Sequence, residues 1–281
     1  MSKKYEVNHS LPYIQIREQS IIMYSVFEHT HRRNTDGFKH ETYSGKVTEG
    51  AAKRIRTAVD ILLQITPHRT VKNPATGKSF KHWLSFITLT IPGNEQHVNV
   101  KFANKNLLAP WIRIMRKKHT MLTYVWKAEF QKNGQLHYHI TTPSVIHHSF
   151  IKDTWNNILS TNGLLKEWMK QHNNTFPNST DIHSVKRNDK FNWYLSKEIS
   201  KANKNAHANG KVWDCSLNIK QSKMFSCMEP STLNEKIDKT KIIETPHCYI
   251  YKIRSPVRLL PENERSAYNT WKASIQAKGL Y

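Results

Sequence analysis

The chain has 281 residues, with 43 Lys and Arg against 21 Asp and Glu, which gives a formal net charge of +22. A hydrophobic content of 38% supports a folded core, and the lack of any run of about 18 apolar residues excludes a membrane-spanning helix. A chain this basic is typical of nucleic-acid-binding proteins, so the charge favours a polyanionic partner.

The hydrophobic pattern predicts helices and strands in alternation after an irregular start over residues 1–46, in which only 13–16 and 21–24 look β-like. The predicted helices span residues 48–65, 103–118, 148–171, 188–203 and 231–238. The predicted strands span residues 83–92, 122–130, 135–141, 181–186, 211–220 and 247–253, and 68–82 is a turn or hairpin. Because the middle strands must pair as a hairpin, we expect an α+β fold with a central antiparallel sheet and flanking helices.

The N-terminus and the cysteines indicate the compartment. The first twenty residues contain no apolar stretch of the kind found in secretory signals, so we expect none. Cys215, Cys227 and Cys248 fit neither a zinc ribbon nor a disulfide framework. Reduced thiols in a cytoplasm are the simplest interpretation.

The segment from Trp126 to Ile140 contains two strands joined by a short loop, and its register decides which side chains meet. A two-residue Asn133-Gly134 turn would place Phe130 opposite His137 and so pair apolar with polar residues. A three-residue loop places Glu129 opposite His137 and puts Gly134 in a left-handed conformation. We favour the three-residue loop, because a one-residue slip would bury the charges. This register gathers four polar residues on the face away from the core: Lys127, Glu129, His137 and His139.

Two histidines two residues apart on a strand, with a carboxylate across from them, can bind a divalent cation in an open site. A lone His-x-His pair on a strand is more often a surface feature. The facing carboxylate therefore makes Glu129, His137 and His139 the predicted metal ligands. His29 and His31 have the same spacing but no facing carboxylate, and we interpret them as surface residues.

The predicted helix over 188–203 carries a tyrosine beside lysines. Its apolar stripe leaves Tyr194 about a right angle away, on a flank shared with Lys190, Lys197 and Lys201. A phenol among lysines can attack a phosphate. The alternative is a packing tyrosine beside solvated lysines, and the helix alone does not separate the two.

Three segments, taken in order, resemble the motifs of HUH endonucleases, and more closely those of rolling-circle replication initiator (Rep) proteins of plasmids and single-stranded DNA phages. They are Phe86-Ile87-Thr88-Leu89-Thr90, His137-Tyr138-His139 and Tyr194-Leu195-Ser196-Lys197. The resemblance covers residues 82–220. One departure is Glu198, which stands where many phage-type relatives have a second tyrosine.

The resemblance implies a HUH/Rep-like fold, related to ferredoxin and RRM folds. It implies an endonuclease domain over 81–220, an N-terminal extension over 1–80 that packs on or near it, and a C-terminal extension over 221–281. It also implies a reaction, which is the nicking of single-stranded origin DNA through a 5′-phosphotyrosine intermediate.

The residue roles implied are Tyr194 as nucleophile, Lys197 as charge stabiliser, and Mg²⁺ or Mn²⁺ on the three predicted ligands. Lys127, Lys190, Lys201 and Trp193 are candidate DNA contacts. Origin DNA is the expected partner, with a host helicase and polymerase as further candidates and no membrane, in the cytoplasm of a bacterial host.

Three alternatives stay open at this point. A single-tyrosine HUH transposase or a relaxase would use the same chemistry on another DNA substrate. A non-catalytic nucleic-acid-binding protein would carry the His pair only as surface residues. A non-haem iron oxygenase also uses two His and one carboxylate, but the charge and the Tyr–Lys flank have no role in it.

Overall fold

The computed structural model describes residues 13–18, 20–24, 47–72, 76–92, 99–131, 134–173, 175–185, 210–228, 242–245, 248–253 and 255–278. The chain divides into two compact units. The central unit comprises residues 42–222 and 275–281, and the terminal unit comprises residues 1–41 and 223–274.

The described strands are β1 (Tyr13–Ile16), β2 (Ser20–Tyr24), β3 (Arg69–Lys72), β4 (Ser79–His82), β5 (Leu84–Thr90), β6 (Val125–Phe130), β7 (Leu136–Thr142), β8 (Thr180–Val185), β9 (Trp213–Cys215), β10 (Ser226–Met228), β11 (Ile242–Thr245) and β12 (Cys248–Lys252). The described α-helices are α1 (Glu49–Ile65), α2 (Val100–Ala103), α3 (Ala109–His119), α4 (His148–Thr161), α5 (Lys166–Gln171), α6 (Leu217–Lys220) and α7 (Glu262–Lys278).

A five-stranded antiparallel sheet organises the central unit, in the order β8-β5-β7-β6-β9. Its middle strands alternate buried apolar residues with polar ones, so Ile87 and Leu89 of β5 are fully buried. The α+β prediction is confirmed. Because β8 and β9 are the outer strands, the chain between Val185 and Trp213 joins opposite edges of the sheet.

Helix α1 forms where the sequence predicts it. The Thr48 hydroxyl accepts a hydrogen bond from the Ala51 backbone N–H at 3.2 Å, which caps the first turn. Ile55, Val59 and Leu62 are fully buried on its apolar side, and Pro67 follows just beyond its end.

A π-helical turn, Asn104–Leu108, joins α2 to α3. Pro110 lies in the first turn of α3, where its missing N–H is tolerated. The Asn104 side chain accepts from the Tyr138 hydroxyl at 2.8 Å and donates to the Lys211 carbonyl at 2.7 Å. Nearby, a Cβ at Gly210 would lie 2.8 Å from the Lys101 backbone nitrogen, so this close approach requires glycine.

Strands β3 and β4 form a separate two-stranded antiparallel sheet, which confirms the hairpin prediction for this segment. In contrast, the single strand predicted over residues 211–220 is wrong. It is the short strand β9 followed by helix α6, because Ser216 turns the chain by donating its backbone N–H to the Tyr124 carbonyl at 2.9 Å. The helix predicted over 231–238 lies outside the described residues.

The terminal unit contains a second five-stranded antiparallel sheet, in the order β10-β1-β2-β12-β11. The two β-like runs near the N-terminus and the strand predicted over 247–253 are therefore confirmed, as β1, β2 and β12. Phe225, Tyr251, Leu260 and Tyr268 pack with three isoleucines of β1 and β2 in its core. None of the helices in the described part of the chain is long and apolar enough to cross a membrane.

Candidate functional site

The hairpin of β6 and β7 has the three-residue-loop register that the sequence favours. Glu129 pairs with His137, and Lys127 pairs with His139. The Gln131 backbone N–H donates to the Gln135 carbonyl at 2.9 Å, and Gly134 has a φ of 83°. The left-handed conformation expected of this glycine is thus confirmed.

One face of this hairpin packs into the core. Ala128, Tyr138 and Ile140 are almost completely buried, and the ring of Tyr138 makes edge contacts with Trp126 and Trp155. Because alternate residues point to opposite sides, this packing fixes His137 and His139 on the other face. The core therefore determines where both imidazoles lie.

His139 and Glu129 approach each other on that face. The Nε2 atom of His139 lies 3.5 Å from the Oε2 atom of Glu129. On the far side of the ring, Nδ1 lies 3.2 Å from the Thr88 hydroxyl, and Phe86 stacks on the ring with centroids 5.4 Å apart. Strand β5 therefore orients His139 so that Nε2 faces the carboxylate.

His137 is more deeply buried. Its Nδ1 atom lies 3.1 Å from the Gln131 side-chain nitrogen and 3.4 Å from the Thr90 hydroxyl. Its Nε2 atom is buried and has no hydrogen-bond partner among the described residues. Desolvation and the neighbouring His139 lower the pKa of His137 to about 4, so its imidazole is neutral at pH 7.

The donor set fits a divalent cation, although no group of three His, Cys, Asp or Glu side chains in the described residues is close enough to hold an ion as it stands. Ligand atoms about 2.0–2.2 Å from an ion lie roughly 3–3.5 Å apart, which matches the Glu129–His139 distance. The ring centroids of His137 and His139 are 6.3 Å apart. Binding by all three residues requires the unpartnered Nε2 of His137 to turn toward Glu129.

A comparison with protein families covers this hairpin. Residues 84–203 match the family model of the replication-associated protein ORF2. The match confirms the resemblance to phage-type rolling-circle initiators and implies a role in phage rolling-circle replication. It begins at β5 and contains all three motifs. No curated protein and no solved structure matches the chain.

The third motif within the family match lies outside the described residues. Tyr194 and Lys197, together with Lys190, Trp193 and Lys201, fall in the segment 186–209. Their roles stay predictions. What the topology adds is that this segment belongs to the connection between the two outer strands of the sheet that carries the histidines.

Lys127 lies on the predicted face but is not exposed. Its side chain has 0% exposed surface, and Nζ lies 3.9 Å from Glu129 Oε2. A covered ammonium group cannot reach DNA directly, so the DNA contact predicted for Lys127 does not fit this arrangement. Its position instead suits charge pairing with the Glu129 carboxylate.

Other residues join this face without having been assigned a role from the sequence. Thr88 and Thr90 lie within the first motif, but their contacts with the histidines depend on the β5–β7 register. Asp181 of β8 pairs with Thr88, and its carboxylate lies 2.6 Å from Nε2 of His183. The alternation in the predicted strand 181–186 is the signal that could have placed them together.

Proposed function

We propose that this protein is a metal-dependent HUH endonuclease that nicks and rejoins single-stranded origin DNA through Tyr194, and so initiates rolling-circle replication. One observation carries the proposal. Inside the segment that matches a replication family, Glu129 faces His137 and approaches His139 to 3.5 Å on one face of the hairpin.

The proposed ligands are Glu129, His137 and His139, and the proposed ion is Mg²⁺ or Mn²⁺. When bound, such a cation polarises the scissile phosphate. The Thr88 and Thr90 hydroxyls can each accept a hydrogen bond from the protonated Nδ1 of the adjacent histidine, which leaves Nε2 free as the ligand atom.

The proposed reaction exchanges one phosphoester for another. The Tyr194 oxygen bonds to the scissile phosphorus as its phenolic proton is lost, and the bond from phosphorus to the 3′ oxygen breaks. The 3′ oxygen takes up a proton and leaves as a hydroxyl, which can prime synthesis by a host polymerase. Because bond types are conserved, attack by a 3′ hydroxyl on the phosphotyrosine rejoins the strand without ATP.

Lys197 follows Tyr194 by three residues, so on a helix the two would be neighbours. We propose that its ammonium group offsets charge that develops on the phosphate. Lys197→Ala should therefore slow nicking by about 2–4 kcal/mol of transition-state stabilisation while retaining the covalent product.

The test is to trap and map the covalent intermediate. The full chain is incubated with Mn²⁺ and a pool of randomised single-stranded oligonucleotides, and the DNA-linked peptide is identified by mass spectrometry. We expect attachment at Tyr194 and none in Tyr194→Phe. Tyr249→Phe, at a partly exposed tyrosine of the terminal unit, is the matched control and should react normally. Attachment at another tyrosine, or cleavage without an adduct, would overturn the assignment.

A further inference from the structure

The β3–β4 hairpin has one face anchored and one face exposed. Arg69, Val71, Phe80 and His82 share the first face, and His82 at its base is buried. The base is further held by a hydrogen bond from the Arg69 guanidinium to the Pro143 carbonyl at 2.5 Å. The Trp83 indole N–H also donates to the Thr66 carbonyl at 3.2 Å. The hairpin is therefore fixed at its root.

The other face is polar and exposed. Thr70 pairs with Lys81, and Lys72 pairs with Ser79, so lysine and hydroxyl side chains alternate diagonally across it. Neither lysine forms an ion pair with any described residue. The chain has no Asp or Glu between Asp60 and Glu95, so no acidic residue of the hairpin itself offsets this charge.

A cleft of about 870 Å³ lies at the root of the same hairpin. Arg69 and Lys72 line it from β3, and His119 lines it from the end of α3. Among its described lining residues none is acidic. The basic surface of the hairpin thus continues into a concave, basic region.

We infer that this exposed face, with the cleft at its root, binds the phosphate backbone of duplex DNA beside the single-stranded nicking site; this inference rests on the proposed function. Two antiparallel strands lie about 4.8 Å apart, and such a ribbon fits the major groove of B-DNA, which is about 12 Å wide. Lysine and hydroxyl side chains are typical phosphate contacts.

The position of the hairpin sets the spacing of the two DNA contacts. Strand β4 ends two residues before β5 begins at Leu84, whereas Thr88 and Thr90 contact the candidate metal ligands. Four to six residues of strand span roughly 13–20 Å. At about 3.4 Å per base pair, duplex DNA on the hairpin would begin roughly four to six base pairs from the nicked phosphate.

The test compares two double variants of the full chain. Lys72→Gln/Lys81→Gln removes the exposed charges of the hairpin. Lys166→Gln/Lys170→Gln removes two exposed lysines of α5 and is matched in charge. Fluorescence anisotropy measures binding to a 20-base-pair duplex and to a 20-nucleotide single strand over a range of salt concentrations, and adduct formation on the single strand is assayed in parallel.

We expect the hairpin variant to bind duplex DNA about tenfold more weakly. The slope of log affinity against log salt should become shallower by about 1.8, since each lost phosphate contact contributes about 0.9. Single-strand binding and adduct formation should change less than twofold, as should every measurement on the α5 variant.

Unchanged duplex binding would overturn the inference, and aggregation of that variant would then assign the lysines to protecting strand edges. Equal losses in both variants would also overturn it, because only the net charge would matter. A failure of the proposed function is distinct, since it would remove the adduct from the unmodified chain as well.

Discussion

Two hairpins of the central unit have opposite surroundings. The β6–β7 hairpin lies inside a five-stranded sheet, where Lys127 has no exposed surface and the pKa of His137 is lowered by burial. The β3–β4 hairpin pairs with no other described strand, and its lysines are exposed. The same local element therefore gives a desolvated cluster suited to chemistry in one place and a solvated charged surface in the other. Neighbouring strands decide which.

The largest expected effect follows from removing an imidazole of the β6–β7 hairpin. His137→Ala or His139→Ala should reduce nicking in Mg²⁺ or Mn²⁺ by at least about 10³-fold, because the scissile phosphate loses its electrostatic stabilisation. DNA binding should largely persist, since the lysines remain. Gel assays for the nicked strand and for the adduct measure this.

The control is His29→Ala/His31→Ala, which has the same His-x-His spacing without a facing carboxylate. It should nick normally. If it lost metal binding as severely as the hairpin variants, the choice of ligands would be wrong.

A matched pair of valines tests the difference in packing. Val125→Ala in β6, at a fully buried position, should lower the free energy of unfolding by about 2–3 kcal/mol through lost burial and a cavity. Val71→Ala in β3 is half-buried and should cost less than about 1 kcal/mol. Urea denaturation measures both, and equal costs would contradict the contrast.

A pair of threonines tests whether the hydroxyls beside the histidines matter. Thr88→Val removes the contact with His139 Nδ1 and should weaken Mn²⁺ binding roughly 10–100-fold, as loss of such supporting hydrogen bonds does elsewhere. Thr70→Val, on the exposed hairpin, should leave Mn²⁺ affinity unchanged. Isothermal titration calorimetry distinguishes them, and an unaltered affinity in Thr88→Val would exclude the orienting role.

The smallest effect concerns pH at the root of the β3–β4 hairpin. Burial, and then the Arg69 charge, lower the pKa of His82 below 6.5. The unfolded chain therefore binds a proton more readily than the folded one, so stability falls as the pH drops below 6.5. His82→Gln should lose less stability than the unmodified chain between pH 7.5 and pH 5.5 in urea titrations. An identical loss would contradict this contribution.

The register of the β6–β7 hairpin could be predicted because the information is local. Alternation separates the apolar from the polar residues, and Gly134 permits only a loop with a left-handed residue. The burial of Lys127 could not be predicted in the same way. Alternation states which face a side chain takes, but not what packs over that face.

Long-range pairing was similarly out of reach. The strands of residues 13–16 and 247–253 are recognisable as β-like, yet nothing in either segment says that both enter one sheet. Similarly, the hydroxyl contacts of Thr88 and Thr90 exist only once β5 and β7 are in register. The nucleophilic role of Tyr194 stays a prediction, since it lies outside the described residues.

The close approach at Gly210 has a consequence for how this gene can change. Every single-base substitution of a glycine codon that alters the amino acid introduces a Cβ, and here that atom would meet the Lys101 backbone nitrogen at 2.8 Å. Backbone atoms cannot swing aside as a flexible side chain could. The codon therefore has no harmless one-step neighbour, and natural variation should be strongly depleted at the point where the chain returns to the sheet from the Tyr194 segment.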